Sequence, residues 1–362
     1  MIFDFTYLKY IDEVLHNKIP VCKKVKQAVQ RHVLDMKKAE DGSFPYYFDY
    51  KKTQQAITFF SYLVHTKGEL AGQRLHPEPW QQFIIAEIYG WRRRDNNTRR
   101  FRRAYIQVAR KNGKSFLAAG VALYDLMTEP GAEVVSAATK KEQARIVFED
   151  AKKTVQYSPD FKKHIKPLAH ALVCGDGTMK PLASESKTLD GLNPSCAIID
   201  EYHAHKNDEL LAVIETGMRA RTQPLMFIIT TAGNDKNVPC YEEYEKVGKI
   251  LSGVRGYEND EYFCIVYEIE KGDDWRNEKN WYKANPNLGI SVKIESMRLA
   301  CKNASMKTSD EDAFRTKNLN EWLNVSEVWI NNRQWEKCRK RFSEKKLAGL
   351  RCWGGIDLSK RL

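Results

Sequence analysis

The chain has 362 residues, 42% of them hydrophobic and 29% charged, with a formal net charge of +12. That length exceeds one comfortable core, so at least two domains are expected, and the composition excludes disordered and fibrous classes. No run approaches the roughly 18 apolar residues of a membrane span, no basic stretch precedes an apolar one at the N-terminus, and the eight cysteines contain no CxxC pair, which argues against a zinc ribbon or a disulfide frame.

In chain order, residues 1–75 carry helical periodicity. Val25, Val29 and Leu34 share one face over 21–36, and Ile57, Phe60 and Val64 share one face over 54–64, with a loop at Asp41-Gly42-Ser43-Phe44-Pro45 between them. His76-Pro77-Glu78-Pro79-Trp80-Gln81 leads into an apolar helix over 83–91. Gln81 either caps that helix or presents a planar amide able to read an adenine edge. Seven arginines then fall in the twelve positions 92–103, a density that suits either a solvated face or bidentate phosphate contacts.

Residues 104–108 read as a buried strand, and Ala109-Arg110-Lys111-Asn112-Gly113-Lys114-Ser115 as a tight loop opening a helix over 115–127. Strand, loop and helix N-terminus together make a phosphate cradle. Backbone N–H groups and the helix dipole face the anion, Lys114 reaches the β/γ oxygens, and the Ser115 hydroxyl ligates Mg²⁺. A surface turn carrying a lysine is the plainer use of Gly-Lys-Ser, and the glycine usual five positions before Gly113 is replaced by Val108.

Further strands are expected at 132–138, 195–200 and 225–231, a helix at 140–157, and a hairpin from 170–174 and 179–183. This alternation predicts an α/β fold with a mainly parallel sheet, whose ligands bind at the C-terminal ends of strands. Asp200-Glu201 and Thr230-Thr231 stand at two such ends. Asp200 suits a Mg²⁺ shared with Ser115, and Glu201 suits orienting the water that attacks the γ-phosphate. A helix N-cap is the alternative use of the acid pair. The two threonines either sense the γ-phosphate or are simply β-branched strand residues. Residues 262–270 predict one more strand, followed to about 345 by a helical stretch rich in Trp, Lys and Asn. Residues 350–359 look like a strand opening a new domain.

The ordered set Pro79-Trp80-Gln81, residues 110–115, Asp190-Gly191-Leu192-Asn193-Pro194 leading into Ile198-Ile199-Asp200-Glu201, Thr230-Thr231-Ala232-Gly233, Asn285-Pro286-Asn287-Leu288-Gly289 and residues 314–322 resembles the large terminase subunit of tailed bacteriophages, the DNA-packaging motor of the HK97-like kind. The resemblance covers about residue 75 to the end. It implies a P-loop ASCE-type ATPase core over 76–260, a helical linker or lid over 261–345 and an RNase H-like nuclease domain opening at 346–362, after the helical region 1–75. Degenerate phosphate loops with a basic residue before Gly-Lys-Ser are common in that family, which accounts for Val108.

By motif position, the resemblance makes Gln81 the adenine reader and Arg110, Lys111, Asn112, Gly113, Lys114 and Ser115 the nucleotide-binding loop, with Arg110 at the γ-phosphate. It makes Ser115 and Asp200 the Mg²⁺ ligands, Glu201 the catalytic carboxylate, and Thr230-Thr231 the coupling motif. Arg145, Arg219 and Arg221 are arginine-finger candidates, each equally explicable as a surface or sheet-edge residue. Asp357 matches the first nuclease metal ligand. Its companion carboxylates would lie beyond Leu362, so a truncated chain that hydrolyses ATP without cutting DNA is expected. Mg²⁺ with ATP is the implied cofactor. Double-stranded DNA, the small terminase subunit, the portal protein of the procapsid and a homo-oligomeric ring are the implied partners. The implied place of work is the host cytoplasm, docked on the procapsid and away from any membrane. A helicase-like DNA-dependent ATPase and a non-hydrolysing DNA-binding scaffold are the alternatives.

Overall fold

The computed structural model describes residues 6–67, 71–138, 141–183 and 191–324, together with 338, 339, 348, 349 and 351. The chain divides into two units, residues 1–324 and 325–362. Asp190, Asp357 and most of the stretch expected to open the nuclease domain lie outside the described residues.

Three helices come first: α1 (Tyr7–Leu15), α2 (Lys23–Glu40) and α3 (Tyr50–Phe60). A short strand β1 (Tyr46–Phe48) pairs antiparallel with β2 (Trp91–Arg93), a pairing the sequence pattern did not announce. Between α3 and β2 runs α4 (Pro79–Gly90). Pro79 starts it where a missing N–H costs nothing, and α4 is apolar nearly all round because it is buried.

The sheet and its crossovers follow: β3 (Arg103–Gln107), α5 (Lys114–Thr128), β4 (Glu133–Ala138), α6 (Lys141–Tyr157), α7 (Pro159–Lys162), β5 (Lys166–Pro167), β6 (Leu172–Cys174), β7 (Gly177–Ala183), β8 (Cys196–Asp200), α8 (Glu209–Met218), β9 (Leu225–Thr230), α9 (Pro239–Leu251) and β10 (Tyr262–Val266). Their order is β10-β3-β9-β8-β4-β7-β6-β5, parallel from β10 to β7 and antiparallel at the β6–β5 end. The α/β, mainly parallel expectation holds. Every residue of β9 and β10 is buried, which is why both read as continuous apolar runs and not as alternating ones.

β10 falls in the stretch assigned to the linker, yet its five apolar residues complete the sheet beside β3. The N-terminal region covers this edge. Arg31 Nη1 and Cys22 Sγ donate to the carbonyls of Tyr262 and Val266 at 2.8 and 3.0 Å, and the Tyr10 and Tyr267 hydroxyls meet at 3.2 Å. Edge groups that would otherwise invite another strand are thereby satisfied. Residues of α1, α2 and α3 share one hydrophobic core with the sheet.

The arginine run is more than a solvated face: Arg94 and Arg102 are exposed, yet all seven side chains have partners within the molecule. Arg92 reaches Asn97 and Gln223, Arg93 pairs with Asp95 and Glu261, and Arg94 donates to the Phe44 and Ala39 carbonyls. Arg99 pairs with Asp125, Arg100 with Asp35, and Arg103 with Glu215 and Glu243, while Arg102 donates to Thr222 O. Five donors per guanidinium suit this work, tying loops to the start of β3 where backbone carbonyls converge.

After β10, α10 (Glu278–Ala284), α11 (Ile294–Ala304) and α12 (Thr308–Leu319) close on a second core built from Ile269, Trp275, Trp281, Met297, Phe314 and Leu319. No helix among the described residues is long and apolar enough to cross a membrane.

Candidate nucleoside triphosphate site

Strand register brings the chemistry to one edge of the sheet. Gln107 pairs with Thr230 and Asp200 with Ile229, so β3, β9 and β8 end level, with β9 between the other two. Val108 continues the ladder by one residue, its N–H donating to Thr230 O at 3.1 Å. That position needs no left-handed backbone and therefore no glycine. The turn is made later, at Lys111 (φ 68°) and Gly113 (φ 81°), and Gly113 caps α5. A Cβ on Gly113 would stand 2.8 Å from Gln81 Nε2, so glycine serves both the conformation and the close approach.

Lys114, in the first turn of α5, is 8% exposed, and its ammonium makes no hydrogen bond or ion pair with any described residue. Burial lowers its pKa, opposed by the charges of Glu201 and Asp200. The stem is buried while the ammonium has no protein partner, which suits it to take a phosphate oxygen.

Asp200 ends β8, where its Oδ1 accepts the Glu201 N–H at 2.9 Å. Burial and the neighbouring Glu201 push its carboxyl up to about 7. Glu201 takes a left-handed backbone (φ 50°), uncommon for a residue with a side chain and characteristic of functional turns. Against the cost of burial, His203 and the Lys114 charge hold its carboxyl down at about 2. Its Oε2 lies 3.2 Å from His203 Nδ1 but off the hydrogen-bond line, and has no other partner. A cation beside Asp200 would offset its burial, and Glu201 keeps an oxygen without a hydrogen bond. Asp200 with the Ser115 hydroxyl gives the hard oxygen donors that suit Mg²⁺, an ion that completes its shell with phosphate and water.

Other expected ligands are placed differently. Gln81 Oε1 accepts the Glu78 N–H at 2.9 Å in a capping box, so the amide caps α4 and only its Nε2 faces the loop. The Asn112 side chain is fully buried and braces the loop from within. Its Nδ2 donates to Ala109 O, Arg110 O and Asn285 Oδ1 at 3.1, 3.2 and 2.9 Å, and its Oδ1 accepts the Asn287 N–H at 3.0 Å. Trp80 Nε1 donates to Asn287 Oδ1 at 2.6 Å, Ser291 Oγ to Lys111 O at 2.6 Å, and the Arg110 N–H to Lys317 O at 3.1 Å. Asn320 Oδ1 accepts the Ala232 N–H at 2.7 Å. The Asn285-Pro286-Asn287 turn and residues 314–322, motifs without a role in the sequence, clamp the helical core to the loop and to the turn after Thr231.

Of the arginine-finger candidates, Arg145 lies near the start of α6 with Nη2 3.2 Å from His170 Nδ1. Arg219 and Arg221 follow α8 and precede β9, at the opposite end of the sheet from the loop, and Arg221 Nε donates to Asn193 O at 2.8 Å. Neither acts on the loop of its own chain. Sequence reasoning missed His203, whose one signal was an imidazole two residues past paired acids.

Two family descriptions match the chain: "Terminase large subunit, ATPase domain" over residues 79–249 and "Terminase large subunit, endonuclease domain" over residues 257–362. The chain belongs to the terminase large subunit family. It is 30% identical over 321 residues to the terminase large subunit of Enterobacteria phage HK97, covering 85% of this chain and 60% of that one. Protein YmfN of Escherichia coli K12 is 38% identical over 174 residues, 48% of this chain and 38% of that relative. The crystal structure of the HK97 bacteriophage large terminase superposes with a TM-score of 0.64 at 28% identity, covering 79% of this terminase and 58% of that chain. This terminase therefore spans less than two thirds of the length of these relatives. The expectation of a chain cut off at the opening of its nuclease domain is not supported, because the endonuclease match already begins at residue 257. That match overlaps the ATPase sheet, since β10 lies within it.

Proposed function

We propose that this terminase is a Mg²⁺-dependent ATPase driving double-stranded viral DNA into a procapsid, with an endonuclease activity in its C-terminal part. The observation that carries the ATPase reading is the level ending of β3, β9 and β8, which sets Lys114, Thr230 and Asp200-Glu201 round one loop. Lys114 and the N–H groups of the loop take phosphate oxygens, and Gln81 offers Nε2. Arg110 is exposed beside them, and its charge acts on both Lys114 and Glu201, as a γ-phosphate contact requires. Ser115 and Asp200 hold Mg²⁺, which when bound neutralises charge on the phosphates. Glu201 accepts a hydrogen bond from the attacking water and aligns it on the γ-phosphorus, since phosphoryl transfer depends chiefly on positioning and electrostatics.

Thr230-Thr231 couple hydrolysis to the helical core clamped on the loop. The arginine that steadies the transition state comes from a neighbouring subunit of a homo-oligomeric ring, with Arg145, Arg219 or Arg221 as its source. Asp357 is a metal-binding carboxylate of the endonuclease. The small terminase subunit and the portal are its packaging partners, in the host cytoplasm. The test is ATP turnover followed against protein concentration, with and without duplex DNA. Turnover per chain is expected to rise with both, the duplex strands staying paired. A rate indifferent to concentration and DNA, or strand separation, would overturn the motor reading.

A further inference from the structure

His203 stands where the strand-end threonines meet the catalytic acid. Its Nδ1 is 3.2 Å from Thr230 Oγ1, 3.4 Å from Thr231 Oγ1 and 3.2 Å from Glu201 Oε2. Its backbone N–H also donates to Thr230 Oγ1 at 3.1 Å. With the Thr230 hydroxyl donating to Thr231 O at 3.0 Å, its oxygen faces His203 as an acceptor. That arrangement is satisfied when Nδ1 carries the proton, the less common neutral tautomer of a free imidazole. One N–H faces three oxygens and cannot serve all of them at once. Here it serves the threonines, and Glu201 Oε2 is left without a hydrogen bond.

We propose that His203 is a positioning residue that alternates its Nδ1–H between the Thr230-Thr231 hydroxyls and the Glu201 carboxylate. While Nδ1–H is directed to the threonine oxygens, Glu201 is free to align water. When the threonine side chains rotate toward another group, such as a γ-phosphate oxygen, their Oγ1 atoms leave Nδ1, and Nδ1–H swings to Glu201 and fixes its orientation. Occupancy at the end of β9 is thus relayed to the end of β8 with no backbone movement. This rests on the ATPase reading of the site.

Nitrogen-15 NMR of the histidine side chains in the whole chain tests it, with His203 assigned by its loss in His203→Asn. A protonated Nδ1 in the free protein is expected, and a His203 resonance that shifts on adding Mg²⁺ with a non-hydrolysable ATP analogue. Turnover supplies the second arm. His203→Asn, which keeps a donor at the Nδ1 position, should hold kcat within about threefold. His203→Gln and His203→Ala should each lose at least about tenfold in kcat with KM for ATP within about twofold. An unprotonated Nδ1, a resonance blind to the bound analogue, or Asn and Gln variants that behave alike would overturn the relay. Failure of the ATPase reading itself shows elsewhere, as undiminished turnover in Glu201→Gln, while the Nδ1 proton still reports on the relay.

Discussion

Glu201→Gln should bind Mg·ATP and scarcely hydrolyse it. The substitution keeps size and backbone preference at a position with φ 50°, so the loop and β8 are undisturbed. What it removes is the ionised carboxylate that His203 and Lys114 hold down at about 2 against burial, and with it the acceptor that orients water. Loss of a positioned base or water-orienting group typically costs 10²–10⁴-fold, so kcat should fall by about that factor. Affinity for Mg·ATP should survive, because Asp200 loses a neighbouring negative charge that raises its pKa. Single-turnover hydrolysis beside equilibrium binding separates the two effects. A variant that turns over at the parent rate would remove Glu201 from the chemistry.

Arg100→Ala should be far more destabilising than Arg102→Ala. Its side chain is fully buried, with Nη2 2.7 Å from Asp35 Oδ2 and Nε 2.8 Å from Asp260 O. The guanidinium also lies 4.6, 4.9 and 4.7 Å from the ring centroids of Tyr46, Trp91 and Phe101. Truncation leaves Asp35 buried, with Lys38 at 3.2 Å and Arg31 at 3.7 Å as its remaining cations. Breaking a buried pair costs about 3–5 kcal/mol, and those two cations place the expected loss near about 3 kcal/mol. Arg102→Ala, at an exposed side chain with one bond to Thr222 O, should change stability by about 0.5 kcal/mol or less. Denaturant unfolding compares them directly. Equal stabilities would return the run to the solvated face that composition alone allows.

The difference between those two arginines shows what the sequence conceals. Seven guanidiniums in twelve residues look alike as letters, and their roles depend largely on distant acids and carbonyls, as far as the 168 positions between Arg93 and Glu261. The sheet was legible because its strands are short apolar runs punctuated by Gly, Pro and paired acids. Lys114, Asp200 and Glu201 were legible for the same reason, since chemistry at the ends of parallel strands falls at a pattern break. Asn112 was visible only as a loop residue, because its partners Asn285 and Asn287 lie 173 and 175 positions on. Val108 looked like a lost glycine until its N–H was seen to extend the ladder to Thr230. Gln81 offered two readings, and only the Glu78 N–H on its Oε1 shows how half of the amide is used.

On the proposed function, the loop from Arg110 to Ser115 and the acids at 200 and 201 form one Mg·ATP site. Equilibrium binding of a fluorescent ATP analogue with Mg²⁺, to the parent chain and to Lys114→Ala, tests it most directly. Loss of a charge-assisted phosphate contact of about 1.5–3 kcal/mol should weaken binding by about 10- to 150-fold in the variant. Unchanged affinity in a folded Lys114→Ala chain would contradict it, and would leave Gly-Lys-Ser as a turn that happens to carry a lysine.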